Sequence, residues 1–164
     1  MKTNAIIIER ASDLEALSSF SCGVREIDLL IHKKEGGLAS FIEENSCEPY
    51  FCVIENTIVG IFIYSLHELS IQDDEEPVSC GLADSIEIDF IAIRQDFQRQ
   101  GIGKRIINAI ELFAKLNGCF ILSVGAFFNR HYSAVGFYEK CGFVVNGERQ
   151  SNIVPMIKKS FSNL

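Results

Sequence analysis

The chain has 164 residues, 48% of them hydrophobic, and a net charge of −7. That length suits one domain, residues 1–164, with a core of its own, and the lack of any long polar tract excludes a disordered chain. No apolar stretch approaches the length of a membrane span and no charged-then-apolar leader opens the chain, so a cytoplasmic protein is expected.

Ala5 to Arg10 is a β-rich run and Ser12 to Ser19 a short helix. Val24 to Lys34 reads as a helix with Val24, Ile27, Leu30 and Ile31 on its apolar side, interrupted by Gly36-Gly37 before a further helical stretch from Leu38 to Glu44. Tyr50 to Glu55 and Ile58 to Leu66 form a hairpin through Asn56-Thr57. A polar loop from Ser70 to Ser85 follows, and its acidic run Asp73-Asp74-Glu75-Glu76-Pro77 is expected to be mobile. Ile86 to Ile93 is a strand with Glu87, Asp89, Ile91 and Ile93 on one face and Ile86, Ile88, Phe90 and Ala92 on the other. The next helix, Lys104 to Leu116, buries Ile106, Ile110, Phe113 and Ala114 and stops at Asn117-Gly118. Phe120 to Val124 is a strand, Ser133 to Cys141 a helix ending at Gly142, and Phe143 to Asn146 with Asn152 to Lys159 a last pair of strands. The order is β-α-α-β-β-β-α-β-α-β-β.

Six cysteines (Cys22, Cys47, Cys52, Cys80, Cys119 and Cys141) show no C-x-x-C pair. They read as reduced, mostly buried apolar residues, and no His/Cys pair completes a metal site with Cys47 and Cys52; no metal is expected. Charge divides along the chain: residues 1–93 carry −13 and residues 94–164 carry +6. An acidic half attracts a cationic acceptor such as an amine, or is simply a solvated surface.

The basic half holds Gln98-Arg99-Gln100-Gly101-Ile102-Gly103, between the strand and the helix, with Arg94, Arg99, Lys104 and Arg105 around it. A strand that turns through glycines into a helix start presents several backbone N–H groups at the positive end of the helix dipole, a place suited to a phosphate or pyrophosphate. The Walker loop fails, because Arg105 follows Gly103-Lys104 and Gln98 stands where its first glycine belongs. The dinucleotide fingerprint also fails, because Ile106 replaces its third glycine and Cys119 and Phe120 stand where its acidic residue belongs.

The remaining pattern, Gln-x-x-Gly-x-Gly, resembles the pyrophosphate loop of the GNAT superfamily of acyl-CoA-dependent N-acetyltransferases. Ala134-Val135-Gly136-Phe137-Tyr138-Glu139-Lys140-Cys141-Gly142-Phe143 is similar to that superfamily's second hallmark, Ala-x-x-x-Tyr-Glu-Lys-x-Gly-Phe, at the expected separation. The resemblance implies an α/β (α+β) GNAT fold: a central mixed twisted sheet of about six or seven strands with a splayed pair, flanked by about four helices. It implies acetyl-CoA as co-substrate, with the pantetheine arm pairing against the strand edge in the manner of an added strand. Backbone groups of Ile91, Ala92 and Ile93 would hold the arm and the acetyl carbonyl. The amides of Gln98, Arg99, Gln100, Gly101, Ile102, Gly103 and Lys104 would hold the pyrophosphate. Many members carry Asn three residues before the alanine of Ala-x-x-x-Tyr; His131 stands there, with Asn129 two residues earlier, so His131 becomes the candidate contact to the arm, a candidate base, or a plain loop residue.

The implied reaction is attack of a neutral amine on a thioester, which needs a proton acceptor, a donor to the oxyanion and an acid for the departing thiolate. Tyr138 matches the superfamily's acid. Glu87 stands five residues before Ala92, as does the base of histone-type members; Asp89 on the same strand face, or a water chain, is the alternative. The acceptor is expected to be a primary amine of a small molecule or protein. Phe20-Ser21-Cys22-Gly23-Val24-Arg25-Glu26-Ile27-Asp28 resembles the Phe-x-Cys-Gly-x-x-x-Leu-Asp segment of GNAT toxins that acetylate aminoacyl-tRNA, which makes a toxin of a toxin–antitoxin pair the second reading. The acidic charge opposes a tRNA partner, since phosphate contacts dominate such affinity. A third reading is a module that binds acetyl-CoA without transferring the group. Phe127 and Phe128, placed in a loop, would serve a homodimer contact or the acceptor pocket.

Overall fold

A computed structural model of the chain describes residues 5–33, 37–67, 70–73, 76–79 and 85–159. In chain order the elements are β1 (Ile7–Arg10), α1 (Leu14–Ser19), α2 (Arg25–Lys33), α3 (Gly37–Asn45), β2 (Glu48–Ile54), β3 (Thr57–His67), β4 (Ser70–Asp73), β5 (Glu76–Ser79) and β6 (Ser85–Ile93), then a 3-10 turn (Gln95–Phe97), α4 (Ile102–Leu116), β7 (Ile121–Phe127), α5 (Val135–Lys140), β8 (Val144–Val145) and β9 (Ile153–Lys159). Seven strands form one mixed, mostly antiparallel sheet in the order β1-β2-β3-β6-β7-β9-β8. Five α-helices accompany it among the described residues. The chain packs as two compact units, residues 1–65 with 89–106 and residues 66–88 with 107–164.

In the first unit, Asp13 caps α1 by accepting from the amides of Glu15 and Ala16 at 3.0 and 3.1 Å, a contact that stabilises a helix start by about 1 kcal/mol. Leu17 of α1, Ile27 and Ile31 of α2, and Leu38 and Ile42 of α3 are buried, as the helical spacing requires. The hairpin of β2 and β3 turns at Glu55-Asn56, one residue earlier than expected, with Ile54 opposite Thr57. Both turn residues have positive φ, +48° and +62°, which is the twist a two-residue hairpin loop needs and which asparagine tolerates. Val59, Ile61 and Ile63 of β3 are fully buried.

In the second unit, Ser85 to Ile88 of β6 pair in parallel with Ile121 to Val124 of β7. The register ends at Ile88 opposite Val124, although the two strands run on to Ile93 and Phe127. β7 pairs antiparallel with β9 over seven positions, and β9 with β8 over two. Lys158 of β9 bonds Glu111 of α4 at 3.0 Å. Ile107, Ile110 and Ala114 of α4 are buried with Leu122 and Met156, whereas Phe113, expected inside, is 37% exposed. Ile107, not among the residues expected inside, is fully buried.

Two expectations need correction. The polar loop at 70–85 contains a ribbon: β4 and β5 pair antiparallel, Asp73 opposite Glu76 and Ile71 opposite Val78, so the described part of the acidic run closes a hairpin. Phe127 is not in a loop but ends β7, 6.2 Å from the Tyr132 ring, and Phe128 bridges to Ser133 with the Arg149 guanidinium 4.2 Å over its ring.

Candidate functional site

The segment between β6 and α4 is built from its backbone outward. Arg94 donates its amide to the Val59 carbonyl at 2.8 Å, ending the pairing of β6 with β3. Gln95 donates its amide to the Cys22 carbonyl at 2.7 Å, and the 3-10 turn follows. The Gln98 side chain then reaches back, its Nε2 donating to the Ile93 carbonyl at 3.0 Å, while Gln100 Nε2 donates to the Asp96 carbonyl at 3.0 Å. Arg99 and Gly101 both sit at positive φ, +60° and +80°. Alternating handedness of this kind turns successive N–H groups toward one side, a nest for an anion. The Gly101 carbonyl accepts the first helical bond, from Arg105 at 3.1 Å.

Among the described residues, the N–H groups of Arg99, Gln100, Gly101, Ile102, Gly103 and Lys104 have no acceptor within the chain. Gln98 differs, since its amide bonds the Gln95 carbonyl. Ile102 and Gly103 are buried and anchor the helix start, whereas Arg99, Gln100, Gly101, Lys104 and Arg105 are exposed. The nest therefore has backbone donors in its floor, the dipole of a 15-residue helix behind it, and three exposed cations, Arg99, Lys104 and Arg105, around it. Arg94, expected to join them, is instead paired with Asp96 through Nη2 at 2.6 Å and Nε at 3.1 Å.

Just before this loop, β6 offers an edge. Backbone groups alternate sides along a strand, and both Arg94 N–H and Ala92 C=O face β3; the latter would stand 3.0 Å from a Cβ placed on Gly60. Ile91 and Ile93 therefore turn their backbone groups to the other edge, past the point where the ladder with β7 ends. The Ile93 carbonyl already takes the Gln98 amide, so this edge presents the N–H and C=O of Ile91 and the N–H of Ile93. Ala92 is buried, with its carbonyl turned to β3 rather than to this edge.

The candidate bases have different surroundings. Asp89, in the first unit, accepts a hydrogen bond from the Cys47 thiol at 3.6 Å. Glu87, in the second, is half-buried and stands in register with Ser123, whose buried hydroxyl has no partner among the described residues. Tyr138 lies in α5, whose amide bonds from Gly142 and Phe143 to the Glu139 and Tyr138 carbonyls close the helix end, with Gly142 at φ +91°. Its ring meets Phe137 at 5.0 Å and Phe143 at 5.4 Å, both edge-on. Burial pushes its phenol well above the usual value, with smaller contributions from Tyr132 and Cys141. Among the described residues its hydroxyl has no hydrogen-bond partner.

His131 is exposed in a tight turn and accepts from Arg130 Nε at 2.9 Å. Asn129 builds that turn, its Oδ1 accepting the amides of His131 and Tyr132, both at 2.8 Å. The residue missed in the sequence is Asp28, whose carboxylate holds Ser21, Cys22 and Gly23 beside Gln95, at an open cleft of about 490 Å³ lined by Ser21, Cys22, Gly23, Arg94, Gln95 and Asp96. Sequence spacing showed the segment but not the loop it leans on. No cluster suited to a metal ion occurs among the described residues, and none of their helices is long and apolar enough to cross a membrane.

Residues 48–145, well over half of the chain, match the family model described as Acetyltransferase (GNAT) domain. Among solved structures, an acetyltransferase of Bacillus subtilis in complex with CoA aligns with a TM-score of 0.63 at 16% identity, covering 96% of this chain and 100% of that one. A tyrosine-to-phenylalanine mutant of the toxin AtaT, bound to the C-terminus of its antitoxin AtaR and to acetyl-CoA, aligns at 0.62 and 19% identity, covering 94% of this chain and 93% of that one. A similar mutant of KacT aligns at 0.63 and 19% identity, covering 92% and 93%. These likenesses concern the fold.

Proposed function

The chain belongs to the GNAT acetyltransferase family, and on that premise we propose that it transfers an acetyl group from acetyl-CoA directly to a primary amine of a small molecule or protein. The observation that carries the reading is the fan of unpaired N–H groups from Arg99 to Lys104 at the start of α4. Its shape and polarity fit a pyrophosphate.

When bound, acetyl-CoA supplies an activated thioester. The amides of Arg99 to Lys104 hold its pyrophosphate, with Arg99, Lys104 and Arg105 as counter-charges. The N–H and C=O of Ile91 and the N–H of Ile93 pair with the amides of the arm. Glu87 or Asp89, directly or through water, takes the proton from the attacking nitrogen. The Tyr138 hydroxyl donates to the sulfur as the carbon–sulfur bond breaks. Burial keeps this phenol protonated throughout the physiological range and makes it a weaker acid than a free phenol. It therefore acts as a hydrogen-bond donor to the thiolate, and the thiol's proton comes from solvent. Cys22 and Cys52 are buried thiols outside any disulfide, which supports a reducing compartment such as the cytoplasm.

The likeness to AtaT and KacT, together with the Phe20–Asp28 segment, favours a second reading: a toxin that acetylates aminoacyl-tRNA. Labelled acetyl-CoA offered to a panel of small amines and amino-terminal peptides, with charged and uncharged tRNA in parallel, tests both. Label on amines or peptides supports the first reading. Label confined to charged tRNA replaces it with the second, and no label on any acceptor, with acetyl-CoA still bound, refutes both.

A further inference from the structure

We infer that Asp28 is a positioning residue for the phosphate-binding loop, acting through Cys22 and Gln95; the inference rests on the reading of that loop as the coenzyme's pyrophosphate site. Asp28 lies one turn into α2, yet its carboxylate faces backward. It accepts from Ser21 Oγ at 2.7 Å, the Cys22 amide at 2.7 Å and the Gly23 amide at 3.1 Å. Burial alone would raise its pKa, but the bonds from Ser21, Cys22 and Gly23 outweigh it and hold the carboxyl below its usual value. The carboxylate is thus ionised and its acceptor capacity committed to three donors of one turn.

That turn has a defined shape. Gly23 sits at φ +81°, and a Cβ there would stand 3.4 Å from the Gln95 side chain. The Cys22 carbonyl points at the Gln95 amide, 2.7 Å away. Gln95 opens the 3-10 turn that feeds the loop, and Gln98 donates both its amide, to the Gln95 carbonyl, and its side chain, to the Ile93 carbonyl. A continuous path of hydrogen bonds therefore runs from Asp28 through Cys22 and Gln95 to the residue preceding Arg99, where the free amides begin. Among the described residues, Gln98 and Gln100 brace the loop against its own neighbours in sequence and the Arg94 amide ties its start to the Val59 carbonyl; Asp28 adds a charged anchor in a distant part of the chain. Removing the carboxylate leaves the Cys22–Gly23 turn without its acceptor and lets Gln95 shift, which blurs the nest without touching any group in it.

The test compares two acetyl donors, acetyl-CoA and S-acetyl-pantetheine, which lacks the pyrophosphate and nucleotide. For Asp28→Ala the KM for acetyl-CoA is expected to rise about ten-fold. Its kcat at saturation and its KM for acetyl-pantetheine stay near wild type, and Asp28→Asn, which keeps one acceptor oxygen, lies between. An unchanged acetyl-CoA KM in folded Asp28→Ala overturns the inference, and so does an equal loss with both donors, which would mark general damage. Ser21→Ala removes a single bond and keeps the question open to test if Asp28→Ala fails to fold: a small rise in acetyl-CoA KM alone supports the inference, no change refutes it. If wild-type protein does not distinguish the two donors, the pyrophosphate reading of the loop itself is wrong and this inference falls with it.

Discussion

The Gln98 side chain donates its Nε2 hydrogen to the carbonyl of Ile93 at 3.0 Å, tying the loop to the last residue of the strand that precedes it. One glutamine therefore fixes both candidate coenzyme elements, the edge of β6 and the amide nest. It does so from inside the loop, without offering its side chain to the ligand.

Replacing Gln98 with alanine removes this tie and leaves the Ile93 carbonyl to water. The KM for acetyl-CoA is expected to rise about ten-fold, the equivalent of one hydrogen bond, with little change in melting temperature. Steady-state kinetics beside a thermal melt reads both; a large loss of stability with unchanged KM would contradict the assignment.

Tyr138→Phe should fold as well as wild type. The ring contacts with Phe137 and Phe143 survive, and the lost hydroxyl orphans no partner among the described residues. If that hydroxyl assists the departing sulfur, kcat falls by roughly 10²–10⁴ while the KM for acetyl-CoA barely moves. An undiminished kcat would remove Tyr138 from the mechanism.

Glu87→Gln and Asp89→Asn separate the two candidate bases. The variant that loses the true base drops by about 10² or more in kcat/KM and loses the acidic limb of its pH profile. The other keeps that limb. Retention of the limb in both variants would point to a water chain instead.

Alkaline stability carries a further signature. Burial raises the phenols of Tyr138 and, with help from the Tyr50 hydroxyl, Tyr64; it also raises the Cys22 thiol to about 11 and the Cys52 thiol to about 12. Each group is neutral when protonated and binds its proton more tightly folded than unfolded. The stability so gained is complete below the unfolded values, about 8.5 for thiols and about 10 for phenols, and is lost as pH rises toward the folded ones. Urea midpoints measured from pH 7 to pH 11 should decline from about pH 9 and more steeply above about pH 10. Tyr138→Phe should flatten the upper part; a level curve to pH 11 would contradict the burial of these groups.

Gly60 faces the Ala92 carbonyl, which an added Cβ would meet at 3.0 Å. That oxygen belongs to a sheet backbone and cannot swing aside as a side-chain tip could. Gly60→Ala is expected to destabilise by ~1–3 kcal/mol and to weaken acetyl-CoA binding through the displaced β6. Chemical denaturation reads the first effect and titration with CoA the second; a neutral outcome in both would show that the two strands give way freely.

Much of this architecture is legible in local patterns. The alternation of Ile86, Ile88 and Ala92 against Glu87, Asp89, Ile91 and Ile93 sets the faces of β6, and glycines before an amphipathic run mark the loop and α4. What escapes is whatever depends on a partner far along the chain. The bond from Gln95 to Cys22 joins residues 73 positions apart, and no periodicity encodes it. Phe113 has the spacing of a core residue but stays exposed, because burial is decided by what packs on a helix as well as by its stripe. Asp28 read as the end of a motif; its work is visible only once Ser21, Cys22 and Gly23 fold back onto it.

β6 also sets a rule about length. Along it Ile86, Ile88 and Ala92 are buried, whereas Glu87, Asp89, Phe90, Ile91 and Ile93 are half-buried. Adding or deleting one residue there would reverse every position beyond the change, sending carboxylates inward and isoleucines outward, and would turn the coenzyme edge toward β3. Within these nine positions the count of residues is therefore held more strictly than most of their identities, so homologous chains should differ in this strand by exchange and not by insertion.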